Sequence, residues 1–239
     1  MTSVVNGRES TMNPSIWMYG GVHDDPGSRR RFVEELAKQE TAPHFVAVEW
    51  EKSVFERFVV CRPRVEEELR SRWDFLTPQD RLELSLALAW EGDAYKDRFP
   101  GADPLWLETG FQEADSRRRY GDDFPESFAH SLLQRLCNPC SLTMSEFMAN
   151  ADPPPDPKSK KDLIDRVWRK AWAEPFEDRN VDRDARWASA ICKRISGLHN
   201  GWIAVVVGWA HSNPVSGNQR LLGLLLSKGF SVNPVRLGP

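Results

Sequence analysis

The 239-residue sequence predicts an α/β fold: a central, mostly parallel sheet covered by helices, with a helical insertion in the middle of the chain. Three observations predict it. The apolar runs "IWMYGGVH" (16–23), "HFVAVEW" (44–50) and "WIAVVVGWAH" (202–211) are too short for core helices and carry many β-branched and aromatic residues. They are continuous rather than alternating, as strands covered on both faces are. Segments with helical periodicity follow the first and last runs, the strand-then-helix order from which parallel sheets are built.

The elements follow in chain order. After the first strand, "SRRRFVEELAKQ" (28–39) places Phe32, Val33 and Leu36 on one helical stripe, with Ser28 as the expected N-cap. Residues 52–176 are assigned to the helical insertion. Its clearest helix is "TPQDRLELSLALAWEG" (77–92), with Thr77 as cap, Pro78 at the first helical position and Gly92 at the end. "PESFAHSLLQRL" (125–136) is a second helix, and "NADPPPDPKSKK" (150–161) has the composition of a linker. Between them "PLWLETG" (104–110) reads as a further short strand that ends at Glu108.

Residues 177–197, "EDRNVDRDARWASAICKRISG", form a helix leading into the last long strand. Its face through Trp187, Ala188, Ile191 and Ile195 is an ordinary apolar stripe. The same face continues toward the N-terminus as Asn180 and Asp184, with Arg183 beside it. A stripe that turns polar without losing its phase predicts that these first turns face a polar cavity. "GNQRLLGLLLSKG" (217–229) then supplies a helix stopped by Gly229, and "FSVNPV" (230–235) an edge strand, because Pro234 lacks a ladder donor. The whole is expected to be one domain, 1–239, with its core in 15–50 and 177–237.

Composition bounds the function. A net charge of −3 gives no basic surplus for nucleic acid. The longest apolar run, 202–210, is about half of what a membrane span needs. The first fifteen residues have neither a basic nor an apolar leader region, so the cytoplasm is the expected compartment. Four cysteines are too few for a disulfide scaffold, and Cys137 and Cys140 lack the second pair that a zinc knuckle requires.

The predicted strands end at their carboxyl sides in His23, Glu49 and His211, and a parallel sheet brings such ends to one rim, where ligands and chemistry sit. The two histidines also share a frame, G-x-x-H-x-x-P-x-S, in "GGVHDDPGS" (20–28) and "GWAHSNPVS" (208–216). The glycine admits a close backbone approach as the strand ends, and the proline and serine fix the exit into a helix. Each frame thus presents an imidazole at the rim. His44, His130 and His199 are expected to have ordinary structural roles.

Taken together, Gly20 and His23, Glu49, Arg183 and Asp184 followed by Trp187-Ala188, and Gly208 and His211 resemble the superfamily of TraB/PrgY proteins, Tiki proteases, erythromycin esterases and ChaN-like haem-binding proteins. That superfamily carries paired G-x-x-H motifs, a glutamate after the second strand, and an Arg-(Asn or Asp)-x-x-Met-Ala helix. Trp187 here stands in place of the methionine. The resemblance covers about 15–50 and 177–237 and implies a hydrolase of amide or ester bonds, with a peptide preferred over a small-molecule ester. It implies a divalent ion (Zn, Mn or Co) on His23, Glu49 and His211, the kind of ligand set hydrolytic zinc sites use. Asp184 would orient a histidine, and Arg183 would hold a substrate carboxylate or stabilise the oxyanion. Two further candidates for substrate contact come from the residue pattern itself: Asn180 on the polar turn of its helix, and Glu108, which repeats the apolar-then-acid strand end. The superfamily leaves two other readings open: a metal-free esterase with a histidine base, and a haem- or ligand-binding protein.

Overall fold

The computed structural model describes residues 13–23, 25–109, 158–162, 181–213 and 219–238. Among them, five strands form one sheet: β1 (Ser15–Gly21), β2 (Val46–Val48), β3 (Pro104–Trp106), β4 (Trp202–Gly208) and β5 (Val232–Arg236). Their order is β3-β2-β4-β1-β5, and every pairing is parallel. In register, Tyr19 pairs with Val206, Gly21 with Gly208, and Val48 with both Val206 and Trp106. All strands therefore end at one edge. The chain leaves β1 for β2 on one side, while β4 is followed by β5 on the other, so the β1–β4 crevice is the switch point where such sheets bind ligands.

The helices are α1 (Pro26–Ala37), α2 (Lys52–Arg72), α3 (Pro78–Ala87), α4 (Val181–Ile195), the single turn α5 (Trp209–Ser212) and α6 (Leu221–Ser227). All seven residues of β4 are buried, which explains its unbroken apolar sequence. Ile203, Val205 and Val207 pack on one face with Trp187, Ile191, Leu221 and Leu225 of α4 and α6. Ala204 and Val206 pack on the other with Phe32 and Leu36 of α1 and with Trp90. Each such burial contributes about 1.5–3 kcal/mol, and this two-sided core fixes the rim to which the site belongs. A third apolar cluster, built from Trp50, α2 and α3, lies beyond β2.

The sequence expectation for the fold class holds, and the details that differ have physical reasons. The cap of α1 is Asp25, whose carboxylate accepts the Gly27 and Ser28 amides at 3.0 and 2.9 Å. Ser28 lies inside the helix, where its hydroxyl accepts the Val22 amide at 3.1 Å and ties the helix back to the end of β1. β4 stops at Gly208, short of the expected end at His211, which sits on the turn α5. Thr77 forms a full capping box with Asp80, as its sequence position predicts, but α3 ends at Ala87 rather than Gly92. Ala89 adopts φ +52°, which a right-handed helix excludes, and residues 90–92 form a separate 3₁₀ turn.

β3 belongs to the sheet, so residues 104–106 are core although they fall inside the expected insertion. The expected helix at 125–136, Cys137, Cys140, His130, Asn180, Pro214, Ser216 and most of the expected linker lie outside the described residues. No helix among the described residues is long and apolar enough to cross a membrane.

Candidate functional site

The rim gathers His23 from beyond β1, Glu49 from just beyond β2, Glu108 from beyond β3, His211 from α5 and Arg183 and Asp184 from the first turns of α4. Glu49 is the centre. Its Oε1 lies 3.6 Å from His23 Nε2 and 3.5 Å from His211 Nε2. The same oxygen accepts an Arg183 N–H at 2.6 Å, and Oε2 accepts the Gly208 amide at 2.5 Å. Its side chain is only 4% exposed.

Each histidine is held from behind by a different acid. His23 Nδ1 meets Glu91 Oε1 at 2.6 Å, and His211 Nδ1 meets Asp184 Oδ1 at 2.6 Å. A carboxylate only accepts, so each Nδ1 carries the proton and each Nε2 turns toward Glu49. Asp184 also accepts the Leu221 amide at 2.9 Å and pairs with Arg220 at 3.2 Å, which joins α4 to the start of α6. Arg220 lies 3.1 Å from His211 Nδ1 as well, but the shorter, oppositely charged Asp184 contact takes the proton.

The two histidines differ in exposure. The His23 side chain is 41% exposed, whereas that of His211 is 5% exposed, with the Trp187 ring tilted against it, centroids 4.8 Å apart. His23 is therefore the ring that solvent or a substrate reaches. Partial desolvation of its ring opposes the charge, but Glu91 and Glu49 hold the His23 pKa well above the ordinary imidazole value. Burial likewise opposes charge on His211, and Glu49 and Asp184 hold it above that value. Against the cost of its own burial, Glu49 is held well below the usual carboxylate range by His211, Arg183 and His23. Four carboxylates, Glu49, Glu91, Glu108 and Asp184, thus face His23, His211, Arg183 and Arg220.

The glycines of the two G-x-x-H frames serve the opposing frame. A Cβ on Gly20 would come within 1.8 Å of Ser212 Oγ and 2.7 Å of the Trp209 ring. A Cβ on Gly208 would come within 3.2 Å of His23 Nε2 and 3.3 Å of Glu49 Oε2. The repeated frame is thus a reciprocal fit between two strand ends. Gly208 has φ −57°, so space rather than backbone freedom calls for glycine there.

The structure brings His23, Glu49, Glu108, Arg183, Asp184 and His211 together. Glu108 is buried against Arg183, which donates to it through Nε. Arg183 thus engages Glu108 through Nε and Glu49 through Nη2, and its guanidinium lies over the Trp187 ring at 4.3 Å. Glu108 and Arg183 in this arrangement brace the centre. His44 donates from Nε2 to the Asn200 carbonyl at 2.9 Å, a structural tie between loops.

Two residues of the site were not singled out from sequence: Glu91 and Arg220. The signal for Glu91 was an acid at the end of the apolar run "LALAW", and for Arg220 an arginine opening a leucine-rich helix.

The rim presents a donor set for a divalent ion. Two imidazole Nε2 atoms with carboxylate-held Nδ1 atoms, and one carboxylate, fit such an ion in their chemistry. Neighbouring ligands of a tetrahedral ion stand about 3.4 Å apart, close to the two histidine–glutamate separations. In this arrangement, however, no three or more His, Cys, Asp or Glu side chains among the described residues are gathered as a metal ion requires. Arg183 also occupies the Glu49 oxygen that faces both histidines.

No family model matches this sequence, and no curated protein or solved structure matches it either.

Proposed function

We propose that this chain is a hydrolase of amide or ester bonds whose working groups are His23, Glu49 and His211. The observation that supports it most is the convergence of both Nε2 atoms on Glu49 Oε1, each imidazole backed by its own carboxylate at 2.6 Å. A carboxylate behind Nδ1 fixes the tautomer and stabilises the imidazolium formed when Nε2 takes a proton. That is what acid–base chemistry on an attacking water needs.

The exposed His23 is the acid–base group of this reading. In its neutral form Nε2 takes a proton from water as the water oxygen attacks the substrate carbonyl carbon. The tetrahedral adduct then expels its alcohol or amine, which receives the same proton from His23. Arg183, which stays charged throughout, supplies fixed positive charge beside the developing oxyanion, where low exposure strengthens it. The preference for a peptide over an ester rests on the resemblance to TraB- and Tiki-type proteins.

The donor chemistry supports a metal-assisted form of the same activity. His23, His211 and Glu49 would hold the ion, which would polarise the carbonyl and lower the pKa of its water. Arg183 must then yield Glu49 Oε1, so ion and guanidinium compete for one oxygen.

The test is hydrolysis of a panel of peptides and esters after chelation and again with Zn²⁺, Mn²⁺ or Co²⁺. Turnover that falls at least about 10²-fold in His23→Asn and in Glu49→Gln is expected. Equal turnover by wild type and both variants, or none with any ion, overturns the reading.

A further inference from the structure

The turn that follows α3 is built against local preference, and its surroundings say why. Ala89 is buried and sits at φ +52°, ψ +37°, a conformation an L-residue adopts only when its surroundings impose it. The imposition comes from α2. Arg62, 8% exposed, holds both ends of the turn: it donates to the Leu88 carbonyl at 3.1 and 2.7 Å, and to both oxygens of Asp93 at 2.5 and 3.0 Å. A guanidinium that binds a carbonyl and a carboxylate at once fixes the separation of Leu88 and Asp93, and with it the path of 89–92.

What that path presents is directed at His23. The Trp90 indole donates to the Val22 carbonyl, next to His23, at 3.1 Å. Gly21 makes room for it, since a Cβ there would come within 2.6 Å of the Trp90 ring. Gly92 makes room on the other side, where a Cβ would come within 2.3 Å of the Phe55 ring. Between them Glu91 has no exposed surface, and both its oxygens are engaged: Oε1 with His23 Nδ1 at 2.6 Å, and Oε2 with the Trp50 indole at 3.1 Å. A carboxylate taken out of water at the tip of a strained turn is costly, and here it meets one imidazole and the indole that neighbours Glu49.

We infer that the turn Leu88–Asp93, held by Arg62, is a positioning device for His23, with Glu91 as the positioning residue that keeps the Nδ1 proton in place and Nε2 toward Glu49. It is the counterpart of Asp184 behind His211, but comes from a separate element. The device gives His23, the exposed ring, an orientation that the short loop after β1 does not itself supply. Its catalytic meaning rests on the hydrolase reading above; its geometry does not.

The experiment is nitrogen NMR of the imidazoles in full-length protein labelled with ¹⁵N-histidine. Wild type is expected to show an exchange-protected Nδ1 proton on His23 and another on His211. In Glu91→Gln, which keeps the shape of the side chain, the His23 ring signals move and its Nδ1 proton loses protection, while those of His211 stay. Asp184→Asn gives the reverse. Glu91→Asp, which keeps the charge at a shorter reach, is expected to restore part of the His23 protection. Arg62→Lys, which keeps one charge but cannot bind both ends of the turn, is expected to move His23 and spare His211. If Glu91→Gln fails to fold, Glu91→Asp and Arg62→Lys carry the same test.

Unchanged His23 signals in these variants, or equal changes at both histidines, overturn the inference. Because the reading needs no turnover, a failed hydrolase assay leaves it standing, and a failed clamp leaves the hydrolase standing. With a turned-over substrate, Glu91→Gln is expected to lower kcat about 10–100-fold with little change in KM.

Discussion

Arg183 places a guanidinium nitrogen 2.6 Å from Glu49 Oε1, the oxygen that both histidines face. The same side chain holds Glu108, so one cation from α4 neutralises the ends of β2 and β3. Arg183→Met leaves two buried carboxylates without their cation and is expected to cost roughly 3–5 kcal/mol. Thermal unfolding checks this: a fall in Tm of about 10 °C is expected, and a smaller one in Arg183→Lys, whose single ammonium cannot serve both acids in the same way.

Asp184 is engaged on both oxygens, by His211 on one and by the Leu221 amide and Arg220 on the other. Asp184→Asn keeps an acceptor for Leu221 but loses the charge that His211 and Arg220 face. Turnover is expected to fall about 10–100-fold, with a measurable loss of stability. Steady-state kinetics beside a melting curve separates the two effects.

The paired glycines give opposite outcomes. Gly20→Ala drives a methyl into Ser212 and Trp209 and is expected to cost roughly 1–3 kcal/mol by overpacking. Gly208→Ala asks only a few tenths of an ångström from its neighbours, but those neighbours are His23 and Glu49. It is expected to fold nearly as wild type while turnover drops by up to about 10²-fold. Denaturant unfolding and initial rates of both variants check the contrast.

The pH dependence follows from the signs of the shifts. His23 and His211 are raised above the ordinary imidazole value of 6.5, so their contribution to stability is fully present below about that pH and is lost as pH rises through their folded values. Glu49 is lowered below 4.5, so its contribution is present above that pH and is lost as pH falls through its folded value. Chelated protein is thus expected to have its highest Tm between about pH 4.5 and 6.5. Hydrolysis by neutral His23 runs the other way and rises with pH above 6.5. A pH series of melting curves and rates checks both limbs.

The rim was legible in sequence because it depends on simple periodicities. Continuous apolar runs marked β1, β2 and β4, and one polar turn of an otherwise apolar stripe placed Asp184 and Arg183 at their carboxyl edge. What was not legible depends on tertiary contacts that no local pattern encodes. The left-handed Ala89 cannot be read from "LALAWEG", which has helical composition, because Arg62 of another helix imposes it. Glu91 was hidden for the same reason. Asp25 displaced Ser28 as the cap of α1, since both residues suit that position and only the Val22 contact distinguishes them. The strand pattern marks Glu108 as an acid at the rim but not its burial, which is made by Arg183, distant in sequence.

The central claim is that water is added across an amide or ester bond at His23. The most direct measurement is mass spectrometry of products formed from a peptide and ester panel in H₂¹⁸O, with wild type and His23→Asn, chelated and with each of the three ions. The account predicts one ¹⁸O in the product acid with wild type and almost none with His23→Asn. Product acid free of ¹⁸O, equal labelling with the variant, or no product under any condition would contradict it.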